Sequence, residues 1–485
     1  MKNINKVSVK FVGASSTGVT GSSVLISYYD KDESKHQFLI EHGLSQGGNV
    51  LEEYKINNQN IKDFKPKNLE FILTSHLHFD HVGLIPKLYK KGAKCPLIVP
   101  TNSTPFIKHM ALDGAFICER DVEVLNKQYK KASLEPIYGN DDVYEMLDHI
   151  QEIGNQRKVK LNNEVIIEYV PSGHIELAHQ IVIWIKKPNN STVKILYTGD
   201  LGNPKIEKVF CNKFIPVDNC NLLIGEATYN NPLRSFTKDT RLKDLEKIKT
   251  IVDETCIDNK GRCLFAIFSL QRCQDMLYEL YKIYGENKDF KIPIYIDSPL
   301  AIKLTKDFQN MYNETDLEKA KVFNAMLDWE NVNYIKAPEN HIKLLKSNKP
   351  CIVLCGSAFL TAGRSVSWVQ ELLPQSNNHI LICGYSGEEG SIGWQIQHSK
   401  NSVLTVAGKK VRANCKVTGL KSFSSHMQYE ELMNYYSNVN TQKIVIHHSD
   451  KADKKRFAKN LQDLIYKKNK TGNVVVAEKN LEIKI

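Results

Sequence analysis

F-I-L-T-S-H-L-H-F-D-H-V-G-L-I-P, residues 71–86, is the reference point for the rest of the chain. Phe71-Ile72-Leu73-Thr74 is an apolar, partly β-branched run of the kind that forms a buried strand, and it delivers His76, His78, Asp80 and His81 within six positions. A helix is expected to start just beyond. Where a strand runs out into a loop, alternate residues point the same way, so His76 and His78 can converge on one cation while Asp80 and His81 turn toward a second. Imidazole and carboxylate donors suit zinc better than calcium or magnesium, which take mostly oxygen. Two adjacent metal positions are therefore expected.

The chain has 485 residues, more than one ordinary hydrophobic core organises, so two or three domains are expected. Its hydrophobic fraction of 42% is that of a globular protein. The opening M-K-N-I-N-K-V-S-V-K-F-V-G has no apolar core of signal-peptide length, and no later run is long enough to span a bilayer. The expectation is a soluble, cytoplasmic protein with no membrane partner. Eleven cysteines without a C-x-x-C pair, the closest being Cys351 and Cys355 in C-I-V-L-C, read as reduced and mostly buried thiols. A net charge of +11 fits a polyanionic partner, and equally a lysine-rich solvated surface.

Upstream of the reference stretch, residues 5–48 alternate apolar and polar positions in V-S-V-K-F-V, S-S-V-L-I-S-Y-Y and Q-F-L-I, which predicts an antiparallel meander ending in Glu41-His42-Gly43. Downstream, residues 104–153 read as mainly helical, with a turn and helix cap in E-P-I-Y-G-N-D-D-V. The strand V-I-I-E-Y-V ends in Pro171-Ser172-Gly173-His174, and K-I-L-Y-T ends in Gly199-Asp200. A histidine after a Ser-Gly turn can be a plain loop residue, whereas a carboxylate at such a strand end can bridge two cations with its two oxygens. Further on, C-I-V-L-C-G-S-A-F-L-T-A-G-R-S reads as a buried strand, a Gly/Ser/Thr turn and a helix starting near Gly363-Arg364. Free backbone N–H groups there, with Ser357, Thr361 and Arg364, could hold a phosphate. Residues 451–470 predict a Lys-rich amphipathic helix, and V-V-V-A-E-K-N-L-E-I-K-I closes the chain as strands.

H-x-H-x-D-H behind an apolar strand resembles the signature of the metallo-β-lactamase superfamily. This implies a four-layer αββα sandwich with a one- or two-metal site on its edge. The superfamily usually has an aspartate, orienting a metal-bound histidine, where Glu41 stands; glutamate keeps the charge and adds a methylene. His174 and the Asp200 of T-G-D match its further ligands. E-A-T-Y, residues 226–229, is similar to the first motif of the β-CASP branch of RNA-processing nucleases, which includes the RNase J and the cleavage and polyadenylation endonuclease groups and carries an inserted α/β domain near this point. C-G-Y-S-G-E-E-G-S-I-G also resembles the branch, with Ser391 in place of a threonine, while Ser357-Ala358 departs from its Gly-Met-rich version. K-S-F-S-S-H-M-Q-Y-E-E-L places His426 at the histidine of S-A-H-x-D-x-x-x-L. K-I-V-I-H-H-S-D aligns His448 with the last ligand and leaves His447 as an extra. Without the resemblance, His426 reads as a residue at a helix N-terminus.

The resemblance implies that residues 1–225 and 416–485 are two parts of one metallo-β-lactamase domain and 226–415 the β-CASP insertion. It implies a zinc-dependent ribonuclease that binds single-stranded RNA and leaves a 5′-phosphate and a 3′-hydroxyl. Two Zn2+, or Mn2+ in their place, would be held by His76, His78 and His174 on one side, by Asp80, His81 and His448 on the other, and by Asp200 between them. Asp80, Glu226 and His426 are the expected catalytic residues, with His426 the acid and Glu226 its orienting partner. Ser357, Thr361, Gly363 and Arg364 are the expected RNA contacts, and a homo-oligomer is compatible with this reading. Three rivals share part of the pattern. A DNA nuclease of the same branch resembles this chain with a valine in place of His448; a small-molecule metallo-hydrolase needs neither the insertion nor Arg364; and a non-catalytic RNA-binding scaffold fits poorly with seven filled ligand positions.

Overall fold

The computed structural model describes every residue except 1–4, 15–17, 49, 130–132, 235, 362, 385, 386, 388, 389 and 480. The chain divides into two compact units: Met1–Gln46, Val50–Ser235 and Ser425–Ile485 form the first, Gly47–Asn49 and Phe236–Ser424 the second.

The first unit is built on two seven-stranded sheets. In one, Ser8–Phe11, Val24–Tyr29 and Lys35–Ile40 form the expected antiparallel meander, which continues through Ile72–Leu73, Leu97–Pro100 and Ile150–Ile153 as parallel neighbours. Ile150–Ile153 lies in the stretch expected to be mainly helical. Its burial alternates weakly, and its strand character comes from pairing with Leu97–Pro100, about fifty positions away and invisible to any local pattern. The helices Thr104–Gln128 and Asn140–Leu147 do form, the second with the Gly139 N–H donating to Asp142 at 2.9 Å.

The other sheet runs Asn473–Val476, Lys443–Ser449, Leu222–Ala227, Thr192–Tyr197, His179–Lys186, Val165–Pro171 and Val159–Lys160 in spatial order. Val9, Ile26 and Phe38 of the first sheet meet Ile167, Ile183 and Ile195 of the second in one apolar core. Lys443–Ser449 is buried from Ile444 onward because both of its faces are covered. Val445 faces the other sheet, while Ile444 and Ile446 lie under the helices Tyr429–Asn438 and Lys454–Lys467. In the latter helix, Phe457, Leu461 and Ile465 make an i, i+4 stripe toward the sheet and the lysines at 455, 459 and 467 stay outside. On the opposite side, Ile85, Ile107, Met110 and Met146 gather with Leu97 around a small apolar cavity. Helix, sheet, sheet and helix make the four-layer αββα sandwich.

The second unit is an α/β domain around a six-stranded, all-parallel sheet in the order Val332–Tyr334, Ile294–Ile296, Cys351–Cys355, Arg262–Ala266, His379–Cys383 and Lys416–Leu420. Its limits differ from the expected 226–415 at both ends. Leu222–Ala227 pairs with Thr192–Tyr197 and Lys443–Ser449, which keeps Glu226 in the sandwich, and Lys416–Leu420 pairs with His379–Cys383, which keeps it in the insertion. The eleven cysteines are buried and form no disulfide. Among the described residues no helix is long and apolar enough to cross a membrane.

Asp297, directly after Ile294–Ile296, ties the second unit together. His341 Nδ1 and Trp368 Nε1 each donate to its Oδ2 at 2.7 Å, and Arg364 donates to Oδ1 at 2.6 Å. Burial alone would raise this carboxyl, but His341, Trp368 and Arg364 hold it below the usual range. Replacing it leaves the partly buried Arg364 guanidinium and the buried Trp368 and His341 N–H groups without their acceptor, so Asp297→Ala is expected to destabilise the second unit by about 3–5 kcal/mol in denaturant unfolding.

Candidate metal centre

The polar residues of the site are left at one edge of the first unit by the strand ends. Glu41 follows Lys35–Ile40; His76 and His78 follow Ile72–Leu73, and the short helix Phe79–Val82 carries Asp80 and His81. His174 follows Val165–Pro171, Asp200 follows Thr192–Tyr197, and Glu226 and His448 stand near the ends of two paired strands. Those two strands slip in register: Gly225 faces Ile446 and Ala227 faces Ser449, so His447 and His448 together oppose Glu226. His448 then takes a left-handed φ of 46°, and Glu41 one of 61°, conformations that only firm surroundings impose on such residues.

Four donor groups result among the described residues, and two of them are made up wholly of the expected ligands. In the first, His78 Nδ1 lies 3.2 Å from His76 Nε2 and 3.3 Å from His174 Nε2, and Asp200 Oδ2 lies 3.6 Å from each of the latter two nitrogens. Separations of this size are the edges of a tetrahedron whose corners lie about 2.0–2.2 Å from its centre, the distance zinc keeps from imidazole and carboxylate. In the second set, Asp80 Oδ2 lies 3.3 Å from His448 Nε2 and 3.8 Å from His81 Nε2, and His81 Nε2 is 3.4 Å from Asp200 Oδ1. The seven residues expected as ligands are together, and Asp200 turns one oxygen to each set. Among the described residues, buried His81 Nε2 and Asp200 Oδ1 have no well-formed hydrogen bond, which suits donor atoms that face a cation. The residues present fit a pair of divalent cations.

The electrostatics of the first set and of Asp200 agree with that fit. Burial pushes His76 and His174 well below the ordinary histidine value, and burial brings His78 down to about 4, so these imidazoles are neutral and able to donate a lone pair. Burial would raise Asp200, but His448, His81, His426 and His76 outweigh it and keep the carboxylate ionised. His81 goes the other way: burial lowers it, and Glu41, Asp200 and Asp80 together raise it well above the ordinary value.

Glu41 is wholly buried and uses both oxygens. Oε2 accepts from His81 Nδ1 at 2.7 Å and from the Tyr197 hydroxyl at 2.5 Å; Oε1 accepts from the Ser75 hydroxyl and from the Ser75 N–H at 3.3 Å. Ser75 Oγ is in turn 3.1 Å from His76 Nδ1. The carboxylate thus reaches one histidine of each set, directly or through Ser75. Burial would raise its pKa, but the His81 charge and these hydrogen bonds hold it below the usual range.

His426 lies beside both sets. Its Nδ1 is 3.1 Å from Glu226 Oε1 and its Nε2 is 3.9 Å from Asp200 Oδ2. Glu226 also accepts from the backbone N–H groups of Leu201 at 2.8 Å and Thr228 at 2.9 Å, so its carboxylate is fixed independently of the imidazole. The backbone around His426 is anchored by Met427 N–H to Leu201 O at 2.6 Å and by a bridge to Gly202. A side chain at 202 would place its Cβ 1.7 Å from Gly173 O, so only glycine lets these two loops touch. Burial lowers His426, and Glu226 and Asp200 outweigh it, leaving the imidazole raised above its ordinary value.

The residues expected to hold phosphate belong to the second unit. Ser357 Oγ accepts from Phe359 N–H at 3.2 Å, Thr361 is exposed, and Gly363 precedes the helix Arg364–Leu372 with a φ of 71°. Besides Asp297, Arg364 donates to the carbonyls of Ile335 at 2.7 Å and Lys336 at 2.8 Å, which ties the guanidinium to the body of this unit. Ala362, and Tyr385, Ser386, Glu388 and Glu389 of the following motif, lie outside the described residues. Sequence reasoning passed over Ser75, Tyr197, Thr228 and Lys208. Ser75 and Tyr197 are adjacent to ligand motifs and could have been flagged; Thr228, 3.3 Å from His448 Nδ1, sits inside E-A-T-Y. Lys208, which donates to the carbonyls of Gly173, His174 and Ser425, carries no sequence signal.

Family comparison matches residues 17–146 to the metallo-beta-lactamase superfamily, 273–396 to the Beta-Casp domain and 410–476 to the Zn-dependent metallo-hydrolase RNA specificity domain. These matches place a metallo-beta-lactamase domain, a Beta-Casp domain and an RNA specificity domain along the chain in that order. Similar proteins include a ribonuclease of Thermus thermophilus, 25% identical over 424 residues that cover 86% of this chain and 88% of that protein. An RNase J-like protein of Methanocaldococcus jannaschii is 24% identical over 405 residues, 81% of this chain and 84% of its own length. Endoribonuclease YSH1 of Candida glabrata is 25% identical over 402 residues, 80% of this chain and 49% of its own.

Because Glu41 orients histidines of both donor sets, Glu41→Gln is expected to lower the melting temperature and to weaken metal binding by roughly 10–100-fold, measured by chelator competition.

Proposed function

We propose that this protein is a metal-dependent ribonuclease that hydrolyses phosphodiester bonds of single-stranded RNA. The observation that carries the reading is the Glu226–His426 pair, set beside two convergent donor sets and joined to them through Asp200. The relatives named as ribonucleases, which align over most of this chain, support the substrate class. We assign two zinc ions, with manganese as substitute, to His76, His78 and His174, to Asp80, His81 and His448, and to Asp200 between them. When bound, such a pair polarises the scissile phosphate and brings the pKa of an attacking water toward neutrality.

The chain's own groups complete the reaction. Asp200 and Asp80 keep anionic oxygens at the reacting centre, so water entering there can be held and deprotonated. His426 carries a proton on Nε2, and the Glu226 carboxylate on Nδ1 stabilises the imidazolium and fixes the ring. As water oxygen bonds to phosphorus, the bond from phosphorus to the ribose 3′-oxygen breaks, and that oxygen takes the His426 proton. The products are a 3′-hydroxyl and a 5′-phosphate. The eleven buried cysteines, none of them in a disulfide, suit a reducing compartment such as the cytoplasm.

Metal analysis of the purified protein should find close to two transition-metal ions per chain, and Asp200→Ala should lose both because the shared donor is gone; active protein free of zinc and manganese would sink the assignment. With 5′-labelled and 3′-labelled RNA, His426→Ala is expected to keep its metals, still bind RNA and lose roughly 10²–10⁴-fold in rate. Glu226→Gln should behave alike. Cleavage by His426→Ala at the parent rate would show that the proton comes from elsewhere.

A further inference from the structure

The extra histidine, His447, belongs to neither donor set and sits on a strand position that packs between the two sheets. It is buried, 5.2 Å from the ring of Phe11, and its Nε2 is 3.0 Å from Ser22 Oγ. Ser22 Oγ is 2.8 Å from the Tyr197 hydroxyl, and that hydroxyl donates to Glu41 Oε2, the same oxygen that accepts from His81 Nδ1. The polarity of this chain follows from its end. A carboxylate can only accept, so Tyr197 donates to Glu41, Ser22 then donates to Tyr197, and His447 Nε2–H donates to Ser22. Each member is buried and none could hold its hydrogen on the wrong side without leaving a donor stranded. Ser22 also works through its backbone: its N–H donates to the carbonyl of Asp80 at 2.8 Å, and its own carbonyl accepts from Gly43 at 2.8 Å.

We propose that His447, Ser22 and Tyr197 are positioning residues for the second metal position: through Glu41 Oε2 they lock His81 with its proton on Nδ1 and its Nε2 lone pair turned to Asp80 and His448. The first position has a separate route, from His76 Nδ1 through the Ser75 hydroxyl to Glu41 Oε1. The two routes share one carboxylate but not one oxygen. The arm is therefore specific to one of the two cations, which a purely space-filling role would not be. A hydrophobic residue at 447 would fill the same volume and break the chain.

The inference rests on the dinuclear reading above, so the test first counts metals in the parent protein and then measures the affinity of each by titrating zinc against a chelator. In Tyr197→Phe, which removes one oxygen and no bulk, one of the two zinc affinities is expected to fall roughly 10–100-fold while the other changes less than about threefold. Ser75→Ala should invert the pattern. His447→Gln, whose amide can still donate to Ser22, should hold zinc as the parent does, and His447→Leu should match Tyr197→Phe. Ser22→Ala provides the same readout should Tyr197→Phe fail to fold. If the parent holds no metal, the dinuclear reading fails. If the parent holds two, and Tyr197→Phe and Ser22→Ala leave both affinities within twofold or weaken both equally, the arm is only packing and this inference is wrong.

Discussion

A carboxylate with almost no solvent at Asp200 is the constraint on which the site depends. It is 2% exposed, and a buried charge is tolerated only where partners surround it. Five histidines do so, with His81 and His448 at 3.4 Å from Oδ1 and His76, His174 and His426 at 3.6, 3.6 and 3.9 Å from Oδ2. These histidines come from four distant parts of the chain. Only a sandwich whose strand ends meet at one edge can deliver them to a single anion.

The fold accepts local cost to achieve that convergence. Glu41 and His448 adopt left-handed backbone, and the strands carrying Glu226 and His448 lose register just where both side chains are needed. Gly43 is part of the same arrangement: a Cβ there would lie 1.7 Å from the Asp80 carbonyl oxygen, so the loop bearing Glu41 and the helix bearing Asp80 and His81 can touch only through glycine. The glutamate at 41 gains meaning from this closeness. Its longer side chain places one oxygen on His81 and Tyr197 and the other on Ser75, spanning the two donor sets.

The second unit shows a different use of charge. Asp297 takes three donors from His341, Trp368 and Arg364, and the arginine is thereby drawn into the structure of the unit. The run G-S-A-F-L-T-A-G-R-S does fold as a strand, a turn and a helix. What the run could not reveal was the partner waiting at Asp297, more than sixty positions upstream.

Local pattern was enough for most of the architecture. Alternation fixed the meander over residues 5–48, an apolar run marked Cys351–Cys355, and the ligand types at strand ends were readable because their identity and spacing are properties of neighbouring residues. The strand Ile150–Ile153, the unit limits near 235 and 424, and the inward turn of Arg364 were settled by pairing between segments far apart in sequence. The division holds within the site as well. Sequence alone determined that His76, His78, Asp80, His81, His174, Asp200 and His448 could donate to a cation. Tertiary structure decided which oxygen of Asp200 serves which set, and that His447 and Ser22 stand behind Tyr197, because hydrogen-bond direction between buried groups depends on distances that no stretch of sequence contains.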